Sequence, residues 1–204
     1  MFWNTALETD RNQHAAPLHG VTRALWRWDA KRLEAHLLRL SPQDRSARFC
    51  APVGDQSIRA YVARIDWSRN ILVGHFHAGR LVAVAEVVPD PGMFSRAAEF
   101  AISVEPEWRG QGLGKSLMET VLLLAKSRFI RTVRLTTQSD NLAMRRLALA
   151  FDADLAFDQS SLQAEIDTRQ ISQCDYVAGI MMRGGQRLRG AMGTARAHLA
   201  GGRA

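Results

Sequence analysis

With two cysteines and two tyrosines in 204 residues, the chain lacks the means for several kinds of protein. Cys50 and Cys174 are too few and too far apart for a disulfide framework or a zinc site, and no other cluster suggests a metal. Read as reduced thiols, buried or incidental, they point to the cytoplasm. Long apolar runs are missing too: the longest candidate, Val121 to Ala125, is flanked by Glu119 and Lys126, far short of the roughly 18 residues that span a bilayer. Glu8 and Asp10 stand where a secretory signal would need a basic and then an apolar stretch.

Acidic residues are absent from one region. Residues 183–204 hold five arginines and no acid, which leaves residues 1–182 with 22 basic and 20 acidic groups. The net charge of +7 is therefore mostly a property of the tail. A basic Gly/Ala/Arg tail reads as a solvated end before it reads as an RNA-binding arm. The alternative, nucleic-acid binding, predicts a salt-dependent affinity that vanishes when the tail is removed.

Residues 1–20 form an irregular lead-in, and residues 21–182 read as one α/β domain. Val21 to Trp28 suits a first strand. Asp29 is a candidate cap for a helix with Leu33, Leu37, Leu38 and Leu40 at helical spacing. Ser41-Pro42 restarts the chain in a short helix carrying Arg45 and Arg48, and Asp55 caps another with Ile58, Tyr61, Val62 and Ile65 on one face. Ile71 to Phe76 and Leu81 to Val88 are apolar and β-branched around an Ala78-Gly79 hairpin turn, and Ala98 to Val104 adds a third strand. A long helix over 112–128 follows. Next come a strand over 132–137, a helix from Asn141 to Phe151 capped by Asp140, and strands at 155–157 and 162–166. The segment from Thr168 to Met182 suits either an extra helix or a homodimer interface.

The chemistry concentrates between the third strand of that group and the long helix, in Arg109-Gly110-Gln111-Gly112-Leu113-Gly114-Lys115. A helix start presents unpaired N–H groups and the positive end of its dipole. Glycines let the main chain approach an anion, so the segment reads as a diphosphate cradle with Arg109 and Lys115 as adjoining cations. A P-loop would need glycine where Arg109 stands. A dinucleotide fingerprint would need one at Lys115 or Leu117.

The hexapeptide from Arg109 to Gly114 does match [QR]-x-x-G-x-[GA], and in this the chain resembles the GNAT superfamily of acyl-CoA N-acyltransferases. Asn141-x-x-Met144-x-x-Leu147-Ala148, followed by Phe151, resembles that family's second cofactor segment. Leu40-Ser41-Pro42-x-x-Arg45-x-x-Arg48-Phe49 is similar to a segment of bacterial protein-lysine acetyltransferases within it. The resemblance implies a mixed, mostly antiparallel sheet of about six or seven strands flanked by helices. It also implies transfer of an acetyl group from acetyl-CoA to an amine of a protein lysine or a small molecule. Membrane and metal have no part in that expectation. Carried over, Ile102, Ser103 and Val104 hold the pantetheine arm and the Val104 N–H polarises the thioester. Arg109 to Lys115 take the pyrophosphate, and Asn141 and Arg145 approach the pantetheine region.

Direct attack requires a base to deprotonate the amine, since an alkyl ammonium with a pKa near ~10.4 is not nucleophilic. Glu99 shares a strand face with Ala101 and Ser103 and is the candidate. It reads equally well as a strand-end acid paired with an arginine, and Glu86 is its substitute. Many members of the family carry a tyrosine as general acid where this chain has Ala148, so the acid is open, with Ser139 the candidate replacement. The rival function is a non-catalytic acyl-CoA-binding or sensing module on the same scaffold.

Overall fold

The computed structural model describes residues 20–92, 95–158 and 161–171. Seven strands form one sheet among the described residues: β1 (Val21–Ala24), β2 (Ile71–His77), β3 (Arg80–Pro89), β4 (Ala97–Val104), β5 (Thr132–Gln138), β6 (Asp154–Asp158) and β7 (Ser161–Asp167). Their order is β1-β2-β3-β4-β5-β7-β6, antiparallel throughout except for the β4–β5 pair. The helices are α1 (Ala30–Arg39), α2 (Pro42–Phe49), α3 (Asp55–Ala63), α4 (Leu113–Ser127) and α5 (Leu142–Leu149). The tail at 183–204, Cys174, and most of the segment from Thr168 to Met182 lie outside the described residues.

The alternation of β2 and β3 assigns their side chains to two cores. Val73, Ala83, Ala85 and Val87 pack with Leu117, Val121 and Leu122 of α4, while Leu72, Leu81 and Val84 pack with Leu33, Leu37 and Ile58 of α1 and α3. Both faces of the central strands are therefore covered, which is why they read as nearly unbroken apolar runs. The hairpin between them turns on Ala78 and Gly79, both at positive φ, as a two-residue loop matching strand twist requires.

Several local expectations give way to side-chain chemistry. The first strand stops at Ala24 because the chain turns into a short 3-10 segment, Arg27–Asp29. Asp29 stands at the start of α1 but does not cap it: its fully buried carboxylate is held by Arg23, Arg32 and the Trp26 amide. Gly54, and not Asp55, occupies the cap position of α3. Asn141, and not Asp140, caps α5, which ends at Leu149. Ser41 does cap α2, accepting from the Asp44 amide.

The arginines of α2 are largely covered and engaged. Arg45 binds the carbonyls of Leu38 and Leu40 and the carboxylate of Asp55. Arg48, 8% exposed, donates at 2.6 Å to Glu86, itself 2% exposed, on β3. Tyr61 and Asn70 donate to the same carboxylate. Burial drives the Tyr61 phenol far above its ordinary pKa, and the neighbouring Glu86 carboxylate adds to the shift. Glu86 is thus committed to fastening α2 and α3 to the sheet, and neither it nor Tyr61 is available for proton transfer.

Removing one partner of a buried pair leaves a charge uncompensated, so Arg48→Met is expected to destabilise the fold by about 3 kcal/mol. Arg59→Met, at a half-exposed pair with Glu34, is expected to cost less than about 1 kcal/mol. Urea unfolding of the two variants tests the contrast.

Candidate active site

The loop after β4 is shaped by two short constraints. Pro106 opens a single 3-10 turn, Pro106–Trp108, and Gly110 and Gly112 then adopt φ of 73° and 77°. A Cβ built on either glycine meets nothing within 4 Å. The backbone conformation, not crowding, calls for glycine there, and the space over the loop is open. Gly114 lies against β4, its Cβ direction 3.8 Å from Ile102 Cδ1. The amides of Gly110 through Lys115 form no hydrogen bond to described residues, and the ladder of α4 begins with Ser116 N donating to Gly112 O. A row of free N–H groups at the positive end of a 15-residue helix fits a diphosphate.

Arg109 does not reach over this cradle. Its Nε donates to Val104 O at 3.0 Å and its guanidinium pairs with Asp44 of α2 at 2.6 Å, so it ties the loop to β4 and α2. Gln111 is similarly turned back, donating to Glu107 O. Lys115 is exposed and makes no ion pair with a described residue, so it is the cation left beside the amides.

β4 and β5 pair only from Ala97 to Glu99 against Thr132 to Arg134, and beyond that point they separate. Glu105 N bonds Val82 O, and the antiparallel alternation upstream directs the amide of Ser103 into β3 and those of Ile102 and Val104 toward the gap. Of the three backbone positions expected at the pantetheine arm, Ile102 and Val104 thus face the opening and Ser103 does not. Continuing the parallel offset sets half-buried Ser139 opposite Val104 on the other lip. Asn141 is engaged locally, its Oδ1 accepting from Met144 N and its Nδ2 donating to Thr137 Oγ1. Arg145 lies with its guanidinium 5.5 Å from the centre of the Phe157 ring. Ala148 is fully buried.

On the sheet face opposite α4, the strand gap leads to a cavity of about 650 Å³ lined by Glu99, Arg134, Thr136, Asp154 and Glu165, among others. Glu99 is exposed there without an ion pair to a described residue; Arg134, its neighbour on β5, turns instead to Asp90. Cys50 is exposed, not buried, donates to Thr136 O at 3.4 Å, and ends α2 in a left-handed conformation. Burial raises its thiol pKa and the Glu99 carboxylate adds to this, against the opposing Arg48. Among the described residues no group of three His, Cys, Asp or Glu side chains is placed to hold a metal.

One polar cluster escapes the sequence reading. His36 of α1, fully buried, contacts Ser103 Oγ through Nε2 at 2.9 Å and Glu105 Oε1 through Nδ1 at 3.1 Å. Arg39 and Arg80 bind the same carboxylate. Burial alone would raise the Glu105 carboxyl, but hydrogen bonds from His36, Arg39 and Arg80 outweigh it and hold it down at about 2. Burial lowers the His36 imidazole, with Glu105 opposing only in part. The one signal in the sequence is position: His36 falls on the same helical stripe as Leu33, Leu37 and Leu40.

The model of the acetyltransferase (GNAT) family matches residues 24–151. No curated protein matches the chain in sequence. The fold is similar to that of the GNAT domain of Streptomyces lividans PAT, with a TM-score of 0.64, 19% identity, and coverage of 72% of this chain and 90% of that one. A ribosomal-protein-alanine N-acetyltransferase from Brucella melitensis gives a TM-score of 0.59 at 16% identity, covering 72% and 99%. A putative acetyltransferase from Salmonella typhimurium, solved with its cofactor acetyl-CoA, gives 0.56 at 14% identity, covering 73% and 94%.

Two outcomes follow from this geometry. Gly112→Val is expected to weaken CoA binding about tenfold or more, measured by calorimetry, because it strains a positive-φ residue by roughly 1–2 kcal/mol and crowds the amide row. His36 has a depressed pKa in the folded state, so the unfolded chain takes up its proton first and stability falls as pH drops through 6.5. Glu105, also depressed, stabilises fully above its unfolded value of 4.5 and loses that contribution as pH falls toward about 2. Thermal midpoints across both windows should show two declines, and His36→Gln should shrink the upper one to the share that buried His75, whose imidazole is also depressed, contributes.

Proposed function

The chain belongs to the acetyltransferase (GNAT) family, and from that premise we propose that it moves an acetyl group from acetyl-CoA to an amine, of a protein lysine or a small molecule, by direct attack. The observation that carries this reading is the run of unbonded amides from Gly110 to Lys115 at one end of the β4–β5 gap, with the Glu99 carboxylate on the far side of it. The amides and Lys115 would hold the diphosphate, and the inward N–H groups of Ile102 and Val104 would meet the pantetheine arm and the thioester carbonyl. Ile102 is three residues from Glu99, about 10 Å along the strand, and Val104 about 16 Å. The Ile102 amide is therefore the better placed to polarise a thioester within a water's reach of Glu99, in preference to Val104.

In this mechanism Glu99, through a bridging water, accepts a proton from the ammonium. The freed amine attacks the carbonyl carbon, a C–N bond forms, and the oxyanion is held by a main-chain N–H. The C–S bond then breaks, and the second nitrogen proton ends on the departing thiolate. Ser139, across the gap from Val104, is our candidate to relay it, since buried Ala148 and the engaged Tyr61 offer no acid. A cytoplasmic setting with Cys50 reduced belongs to the same proposal.

Glu99→Gln tests it. The expected result is a loss of kcat of about 10²–10⁴-fold with CoA affinity held, measured by thiol release in the presence of an amine panel. Tight CoA binding by the unaltered protein with no amine turned over would overturn the transferase reading in favour of an acyl-CoA sensor.

A further inference from the structure

Resting on that reading of the site, we propose that the acceptor amine carries a second cationic group, seated against Glu165 and Asp154 at a fixed distance from the reacting nitrogen. The sheet supplies the ruler. Glu99 on β4 is in register with Arg134 on β5, Arg134 with Glu165 on β7, and Glu165 with Asp154 on β6. These four residues form one row across the floor of the cavity that contains Glu99. With strands about 4.8 Å apart, Glu165 lies about 10 Å from Glu99 and Asp154 about 14 Å.

The charges along the row are unbalanced in a particular way. Among the described residues Arg134 is the one cation lining the cavity, and its guanidinium pairs with Asp90. Glu165 and Asp154 are exposed and form no ion pair with a described residue. They also stand directly opposite each other on an antiparallel pair, an arrangement of like charges that destabilises a sheet. Arg134, in register with Glu165, pairs with Asp90 instead, so no ion pair among the described residues relieves that repulsion. An ammonium or guanidinium between them would relieve it, on the side of the sheet where the amine must enter. The remaining polar groups of the floor, Thr136 and Gln163, are uncharged and add no competing cation.

An amine with one charge satisfies only Glu99 before deprotonation; one with a second cation two to three strands away also meets Glu165 and Asp154. A long polyamine and a lysine followed by arginine in a basic peptide share this chemistry. Steady-state acetylation of butylamine, putrescine, spermidine and a blocked Lys-Arg peptide tests it with the full chain. Expected is a kcat/KM for spermidine or the peptide about tenfold above that for butylamine, with putrescine, too short to span the row, resembling butylamine. The advantage should shrink as salt rises. Glu165→Gln combined with Asp154→Asn should erase that ratio without lowering the thermal midpoint, since the substitutions remove a repulsion. Arg134→Gln should enlarge it. Whichever of spermidine and the peptide leads identifies the source of the second charge. Equal kcat/KM for butylamine, spermidine and the peptide, or a ratio untouched by the double variant, overturns this inference while leaving the transferase reading intact. Failure of every amine, butylamine included, overturns both.

Discussion

β4 and β5 run side by side for three residue pairs and then part. A gap in a sheet is costly, because each strand edge leaves N–H and C=O groups without partners. Here the outer edge of β4 past the last ladder bond offers the amides of Ile102 and Val104 to that gap, and its last carbonyl is taken by Arg109. The loop that follows adds six further unbonded amides. The opening and the helix start together present one run of main-chain donors, and every functional statement about the chain depends on their staying free.

Charged side chains hold the walls of the opening in place and do little else. Glu105 sits where β4 ends, gripped by His36, Arg39 and Arg80, so α1 and β3 both fix the strand immediately ahead of the loop. Asp44 of α2 fixes Arg109 from the other side. Glu86, Arg48 and Tyr61 perform the same service under α2 and α3. Buried pairs of this kind contribute modestly to net stability, yet breaking one is expensive. They are therefore well suited to fixing a geometry. Glu99, Asp154 and Glu165, by contrast, form no ion pair with a described residue and line the cavity beside the gap, and Lys115 is exposed beside the loop amides.

Much of this is readable from residues alone, and the reasons are local. The strands at 71–77 and 80–89, the Ala78-Gly79 turn and the glycine loop depend on backbone preferences that neighbouring residues decide. The α2 start at Ser41-Pro42 is legible for the same reason. Side-chain partners are decided by tertiary distance, and there sequence reading fails. Asp29 resembles a cap and is instead a buried arginine ligand. Nothing in the α2 sequence marks Arg45 as a partner of Asp55 or Arg48 as a buried strut to Glu86. Nothing in the sequence joins Arg109, placed beside the loop as a cation, to Val104 O and Asp44, which engage it in the structure. His36 and Glu105 lie 69 residues apart, and no spacing rule joins them.

The central claim is that main-chain amides at the start of α4 hold the diphosphate of CoA. The most direct measurement is the amide spectrum of the labelled protein titrated with CoA and, separately, with pantetheine, which has no diphosphate. The account predicts that the resonances of Gly110 to Lys115 move strongly with CoA and scarcely with pantetheine, while Ile102 and Val104 respond to both. Movement concentrated elsewhere, with those six amides unaffected by CoA, would contradict it.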